Sequence, residues 1–436
     1  MLEREASEAI AKKLLASIPA DEAEAFVTAN KTGSTRFASN AITQNVEEST
    51  RSIRLRVIKN GRQGVASGNA DDAGALDSLV SRALKAAEHS SPDSAMLPMI
   101  DAQPQYQAVE AFNRDTFEAS PRARAERILE QLTVAEQHGL EGAGLFTTGG
   151  GSCLYSNTHG VSAYHQSSIA GFSMSAFAED GAVEGSADAT DHNINSLSTR
   201  RVGNTAMQKA MEGKRPKAIE AGAYDVVLER AALAEVFLML SWLGFAAQGH
   251  IEGRSGLSGK MGKKLFSDKL TMRADPYDLR FEGRAFDGEG FPTKAVTLIE
   301  NGIAKNLPHD RRTAKALGGE NTGYAVTQPD PSGPYPRDVV VKEGDATIEK
   351  MIESTERGLL VTTFHYTNIV DPMAMTITGM TRGGVWLIER GKIKHPVKNL
   401  RFTESLFKAL ANIEMVGNIS EPVAAGCSAA VPFCHT

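Results

Sequence analysis

Cysteine is scarce, with three residues in 436. That is no disulfide framework, and it points to a reducing compartment, read here as the cytoplasm. Charge of one sign is also missing. The 47 Lys and Arg face 53 Asp and Glu, for a net charge of -6. The basic footprint of a nucleic-acid binder is therefore absent, and no run of like charges reads as a tail. Long apolar runs are lacking too. The longest, from Ala231 to Ala247, contains Glu235 and Ser241 and is too short for a membrane span. The polar segment over residues 1–26 reads as a helix rather than a signal peptide. Neither a membrane nor a nucleic acid is expected as a partner.

Several catalytic signatures are missing as well. There is no G-x-S-x-G elbow, and none of the ten histidines pairs in HExxH spacing. Cys427 and Cys434 are seven apart, not in tight CxxC spacing. Cys434-His435 is expected as a frayed tail. The tract Gly253 to Met261 imitates a phosphate loop only loosely, because Met261 stands where a Mg²⁺-binding hydroxyl is required. A flexible connector or a peptide-contacting loop is the plainer expectation.

The chain does hold a globular composition, 41% apolar with 40 glycines. It is long enough for a large core and for roughly three domains at ~150 residues each. A helix is expected over 6–17, with Ile10, Leu14 and Leu15 on one face. Ser52-Ile53-Arg54-Leu55-Arg56-Val57 alternates like a half-buried strand, and Asn60-Gly61 sits where a hairpin turns. A helix follows over 71–87, then a proline-rich linker over 91–104.

The pattern then repeats. A helix is expected over 121–137. Leu154-Tyr155-Ser156-Asn157 echoes Phe37-Ala38-Ser39-Asn40, and Asp180-Gly181 echoes Asn60-Gly61. The offset is 117 residues at the asparagines and 120 at the turns. This suggests an internal duplication. Beyond it, Tyr224 to Leu228 reads as a strand and 231–247 as a buried helix. Short strands follow around Thr297, Val339, Gly358 and Val385. Helices over 346–354 and 404–413 are expected, with Asp345 and Thr403 as N-caps. The fold class is α+β: two similar N-terminal α/β units with antiparallel sheets, then a larger β-rich C-terminal domain. The expected divisions are 1–95, 105–220 and 221–436.

Single residues stand out weakly. His250 ends the apolar helix, where a cation is mildly favoured, and His365 lies among strand residues. Each alone reads more readily as a structural histidine than as a ligand. Asp371-Pro372, Thr376, Thr378, Gly379 and Arg382-Gly383-Gly384 form a polar tract able to meet a peptide backbone, or simply to turn.

Taken in order, a set of motifs resembles the TldD/PmbA family. They are Gly33 to Asn40, Arg56 to Gly64, Glu252-Gly253-Arg254-Ser255, Lys269-Leu270-Thr271, Asp275-Pro276, Asp287-Gly288-Glu289-Gly290, Leu298 to Gly302, Asn321, Glu389 to Ile393, Pro396-Val397 and Met415 to Asn418. The resemblance implies a peptidase of two related subunits. A TldD-type subunit carries zinc on an HExxxH motif with a further cysteine ligand. A PmbA-type (TldE) subunit lacks the motif. In this sequence Phe245 stands at the first ligand, Ala246 at the glutamate, and only His250 remains; Cys427 falls in the region of the cysteine ligand. Phenylalanine and alanine supply neither a ligand nor a general base.

The resemblance therefore implies a non-metal-binding, TldE/PmbA-like subunit with no cofactor of its own, His250 and Cys427 being the weak candidates for metal. It would supply substrate-binding surface in peptide proteolysis or maturation. The implied partners are a zinc-bearing TldD-type catalytic subunit and an unfolded peptide. His250, Glu252, Arg254, Ser255, His365, Thr378 and Arg382 are the candidate substrate-binding residues. Two alternatives stay open. One is a self-sufficient peptidase with a rearranged metal site drawn from His250, Glu252, His365 and Cys427. The other is a homodimeric, non-catalytic peptide-binding protein.

Overall fold

The computed structural model describes residues 3–16, 18–101, 103–179, 181–423, 429–431 and 434–436. The first unit runs α1 (Arg4–Leu15), β1 (Glu22–Ala38), β2 (Ala41–Lys59), β3 (Arg62–Gly68) and α2 (Ala73–His89). After α3 (Arg114–Phe117), the second runs α4 (Pro121–Gln137), β4 (Glu141–Asn157), β5 (Ser162–Ala178), β6 (Val183–Asp191) and α5 (Thr199–Glu212). The two units therefore share one order of helix, three strands, helix. They do not keep separate sheets. β1 pairs antiparallel with β4 from Glu24↔Asn157 to Phe37↔Gly144, giving one six-stranded sheet, β3-β2-β1-β4-β5-β6.

The echoed asparagines each satisfy backbone at a strand end, Asn40 at the β1–β4 seam and Asn157 in the β4–β5 turn. Asn40 donates through Nδ2 to the Leu140 carbonyl (2.8 Å) and accepts from the Gly142 amide (2.6 Å). Asn157 accepts from the amides of His159 and Val161, both at 3.0 Å. Asp180, half of the second expected turn, lies outside the described residues.

The strands are far longer than the sequence pattern suggested. β2 spans 19 residues although only Ser52 to Val57 alternates cleanly. Its first half is exposed on both faces, so no burial pattern marks it. The second half departs in another way. Ile53, Leu55 and Val57 face α1 and α2 as expected. Arg54 and Arg56 do not face water: Arg56 is buried, and Arg54 bonds the Gln328 carbonyl. The sheet is covered twice, by helices on one face and by the C-terminal region on the other.

The C-terminal region opens with β7 (Asp225–Leu228), α6 (Arg230–Gly244) and α7 (Ala247–Ile251). It continues with β8 (Met272–Ala274), β9 (Val296–Glu300), β10 (Ile303–Ala304), α8 (Arg311–Leu317), β11 (Val339–Val341), α9 (Ile348–Ser354), β12 (Arg357–Asp371) and β13 (Thr376–Glu389). The last elements are β14 (Lys392–Pro396), β15 (Arg401–Ser405), α10 (Leu406–Ala411), β16 (Met415–Val416), β17 (Glu421–Val423), β18 (Ala429–Val431) and β19 (Cys434–His435). They form two sheets, β10-β9-β8-β11-β18-β17 and β14-β13-β12-β7-β19-β16, with β15 added to β13. Pairing is antiparallel except at β7/β12 and β11/β18, each joined by a long crossover. Helix α6 packs with both sheets in a single core.

Several expectations are corrected. The apolar segment is two helices, not one: it breaks at Phe245 and Ala246, the backbone turning extended at Ala246. Helix α9 starts two residues late, capped by Thr347 rather than Asp345. Thr403 caps nothing, because it pairs with Thr378 in the β13–β15 ladder, and Ser405 is the N-cap of α10. Cys434 and His435 are not frayed. They lie buried in β19, paired with β7 on one side and β16 on the other. The 91–104 segment is no loose tether either, since Met99 is buried and its amide bonds Glu22 (3.0 Å).

The C-terminal region docks on the first sheet through the loop 287–290. Gly290 (φ 76°) lies so close to the Tyr155 ring that a Cβ there would sit 2.3 Å away. Its carbonyl accepts from the Tyr106 hydroxyl (2.7 Å). Buried charges line the contact. Arg56 pairs with Glu24 (2.7 Å), Tyr155 donates to Glu24 (3.1 Å), and Arg311 pairs with Glu289 (2.8 Å). Asp287 is fully buried and accepts from the amides of Glu289, Phe291 and Ala325. Burial, then the neighbouring Glu289, pushes its carboxyl up to about 7.

Gly290→Ala forces both a left-handed alanine and a clash with a buried ring. A loss of at least about 2 kcal/mol in urea unfolding is expected, and Ser332→Ala, in an exposed turn, should leave the midpoint unchanged.

Candidate functional site

Helix α6 is apolar on nearly every side, as a helix between two sheets must be. Its last turn leaves carbonyls without intrahelical partners. Phe245, the C-cap residue, is fully buried; its amide donates to the Ser241 carbonyl (3.1 Å), but its side chain cannot satisfy the rest. Two of the sequence-selected residues do. His250, on α7, places Nε2 2.7 Å from the Gly244 carbonyl. A carbonyl only accepts, so Nε2 carries the proton and donates. Ser255 lies 3.2 Å from the Leu243 carbonyl and 3.0 Å from that of Gly244. Its oxygen also accepts from the Leu257 amide (3.2 Å) and sits 3.1 Å from His250 Nε2. Burial pulls the His250 ring below its ordinary pKa, against the opposing pull of the Gly244 carbonyl.

The other candidates are placed differently. Glu252 and Arg254 form an exposed pair with each other, and Gln248 donates to Glu252 (2.8 Å). His365 and Arg382 face each other across β12 and β13, with Arg382 Nη1 3.3 Å from His365 Nε2 and Nε 3.0 Å from Glu184. They hold the hairpin against β6. Thr378 is on the same hairpin, but its hydroxyl donates to the Phe402 carbonyl (2.7 Å) and accepts from Thr403 (2.9 Å). The polar tract around it is a strand paired on both sides, not an open edge. Cys427 lies outside the described residues. The glycine tract is a closed loop: Leu257 is buried, and Lys260 bonds the Gly256 carbonyl (2.8 Å) and lies over the Phe407 ring.

One neighbour escaped the sequence reading. His309 is buried at the start of α8, which packs on α7, and it is close enough to His250 for the two rings to disfavour each other's charge. The signal available was Asp310 three residues before Thr313, a capping-box spacing. Among the described residues no three His, Cys, Asp or Glu side chains gather as a metal cluster.

Zinc does not fit this helix end. Phe245 and Ala246 offer no donor atom, and His250 Nε2 holds its proton against a carbonyl where a ligand needs a free lone pair. What the geometry performs is the termination of a buried helix.

The PmbA/TldA metallopeptidase domain 1, central domain and C-terminal domain signatures match at residues 23–87, 115–213 and 221–432. The chain belongs to the PmbA/TldD metallopeptidase family. It is 27% identical to Metalloprotease PmbA of Escherichia coli O157:H7, over 93% of this chain and 89% of that one. It is 28% identical to a Metalloprotease of Methanothermobacter thermautotrophicus, over 50% of this chain and 47% of that one. The chain thus spans about half the length of that relative. Its fold is that of TldE from Thermococcus kodakarensis, with a TM-score of 0.86 at 21% identity, covering 98% of this chain and 97% of that one.

His250→Ala and Ser255→Ala should each lower stability by about 1–2 kcal/mol. The double variant should lose less than the sum, since both groups serve one carbonyl; urea unfolding of the four proteins measures this.

The pH dependence follows from the direction of the His250 shift. Below the ordinary histidine range the unfolded chain takes a proton that the folded site resists, so stability is lost as pH falls. The gap between wild type and His250→Ala should be widest near pH 8 and narrow by pH 5 in the same assay.

Proposed function

We propose that this chain is a TldE/PmbA-like, non-metal-binding subunit of a PmbA/TldD-type metallopeptidase, active in peptide proteolysis or maturation. The observation that supports the reading is the commitment of His250 Nε2 to the Gly244 carbonyl, together with a buried Phe245 and an alanine at position 246. Chemistry requiring a metal-bound water and a carboxylate base would come from an HExxxH-bearing partner chain. This chain would contribute substrate-binding surface, with divisions near 1–95, 105–220 and 221–436.

The test is metal content and activity in two preparations. Alone, the purified chain should carry no stoichiometric zinc and cleave no unfolded peptide. Co-expressed with a TldD-type subunit from the same genome, it should co-purify and support cleavage that His250→Ala leaves within about twofold, as expected for a residue without a role in the chemistry. Stoichiometric zinc on the lone chain, with cleavage abolished by His250→Ala, would overturn the proposal.

A further inference from the structure

A cleft among the described residues lies away from α6 and α7. It has a volume of about 420 Å³, within the range of small-ligand sites. It forms where β5 and β6 of the first sheet meet the segments before β9 and β11. Two of its lining side chains are buried yet incompletely bonded. His165 is 8% exposed and its Nε2 has no partner; Tyr324 is 2% exposed and its hydroxyl has none. Buried polar groups left so are costly and call for an explanation.

Their chemistry is specific. The backbone carbonyls of Glu282 and Gly283 face the His165 ring. Carbonyls accept, so the ring proton lies on that side, and Nε2 presents a lone pair. Burial holds the ring neutral, at a pKa of about 4. The Tyr324 hydroxyl is a neutral donor, with its ring 6.0 Å from the Arg337 guanidinium. Arg284 also lines the cleft, near enough to His165 and Glu282 to influence both, yet it pairs with no carboxylate among the described residues. Arg337 lies over the Tyr324 ring, and three of the cleft's other charges are engaged. Arg280 is held by both oxygens of Asp278 at 2.8 Å. Glu282 accepts from Ser167 (2.9 Å), and Asp191 from the Asn193 amide (2.8 Å).

One cleft thus offers a lone pair, a hydroxyl donor and a guanidinium. The geometry points to a site for the carboxylate end of a short peptide. Its carboxylate would meet Arg284 and Tyr324, and its last amide N–H would meet His165 Nε2. The choice of a peptide rests on the peptidase-family reading; the preference for a carboxylate does not.

Titration calorimetry of the whole chain tests it, using a panel of N-acetylated tripeptides with free carboxylates and the same tripeptides as C-terminal amides. The acids should bind at least about tenfold more tightly than their amides, as a charge-assisted contact demands. Arg284→Gln should erase that preference, and Tyr324→Phe should reduce it. Arg284 is not a core residue, so its variant should melt like wild type. Equal binding of acids and amides, no binding by any acid in the panel, or an undiminished preference in Arg284→Gln would overturn the proposal. Zinc content and partner-supported cleavage report on the subunit reading separately, and neither depends on which tripeptide binds.

Discussion

The buried end of α6, at Leu243 and Gly244, leaves carbonyls that water does not reach and that other groups must satisfy. That constraint on α6 organises the centre of the C-terminal region. The chain breaks at Phe245 and Ala246, and Phe245 continues the apolar core. A second short helix then returns His250 to the open end, and Ser255 arrives from the following turn. The glycine-rich stretch beyond exists to make that return tight. His250 is thus spent on backbone satisfaction. A ring already donating to a carbonyl has no lone pair left on that nitrogen for another task.

The N-terminal half solves a different problem. Two units of the same order would each leave a long exposed edge, a liability for a sheet. Pairing β1 with β4 removes both edges at once. The merged sheet then has one face for helices and one for the C-terminal region. The second face carries Glu24, Arg56 and Tyr155, buried and mutually bonded. Such networks are demanding, since each member needs its partners. They favour one docking register over its neighbours, which a purely apolar face would not do as sharply.

Much of this was legible in the sequence, for physical reasons. Period-two alternation at Ile53, Leu55 and Val57, and helical spacing at Leu76, Leu79, Val80 and Leu84, reflect one-sided burial; all but Val80 and Leu84 are fully in the core, and those two pack against it partly buried. The Asn40 and Asn157 echo marked the duplication because each asparagine satisfies backbone at a strand end. What stayed hidden were contacts that leave no local periodicity. Arg54 and Arg56 look like solvent-facing residues until a second domain covers them. β2 from Ala41 to Arg51 is exposed on both faces and reads as loop. His309 and the buried ends of His165 and Tyr324 acquire meaning only when segments distant in sequence meet. At the helix end, the residue identities at 245, 246 and 250 were visible, but the direction of the His250 proton was not.

The strand at Cys434–His435 has its own consequence for how the molecule is made. It fits between β7 and β16, pairing with residues about two hundred positions earlier in the chain. Contacts of such separation form slowly, because a long loop must close before they bring any gain. As the chain emerges from the ribosome, β7 therefore keeps one edge unpaired until β19, about two hundred residues later, has been made. Through that interval the N-terminal sheet can already be complete, since all six of its strands precede β7. The order of the strands along the chain thereby lets the docking platform form before the free edge of β7 is closed.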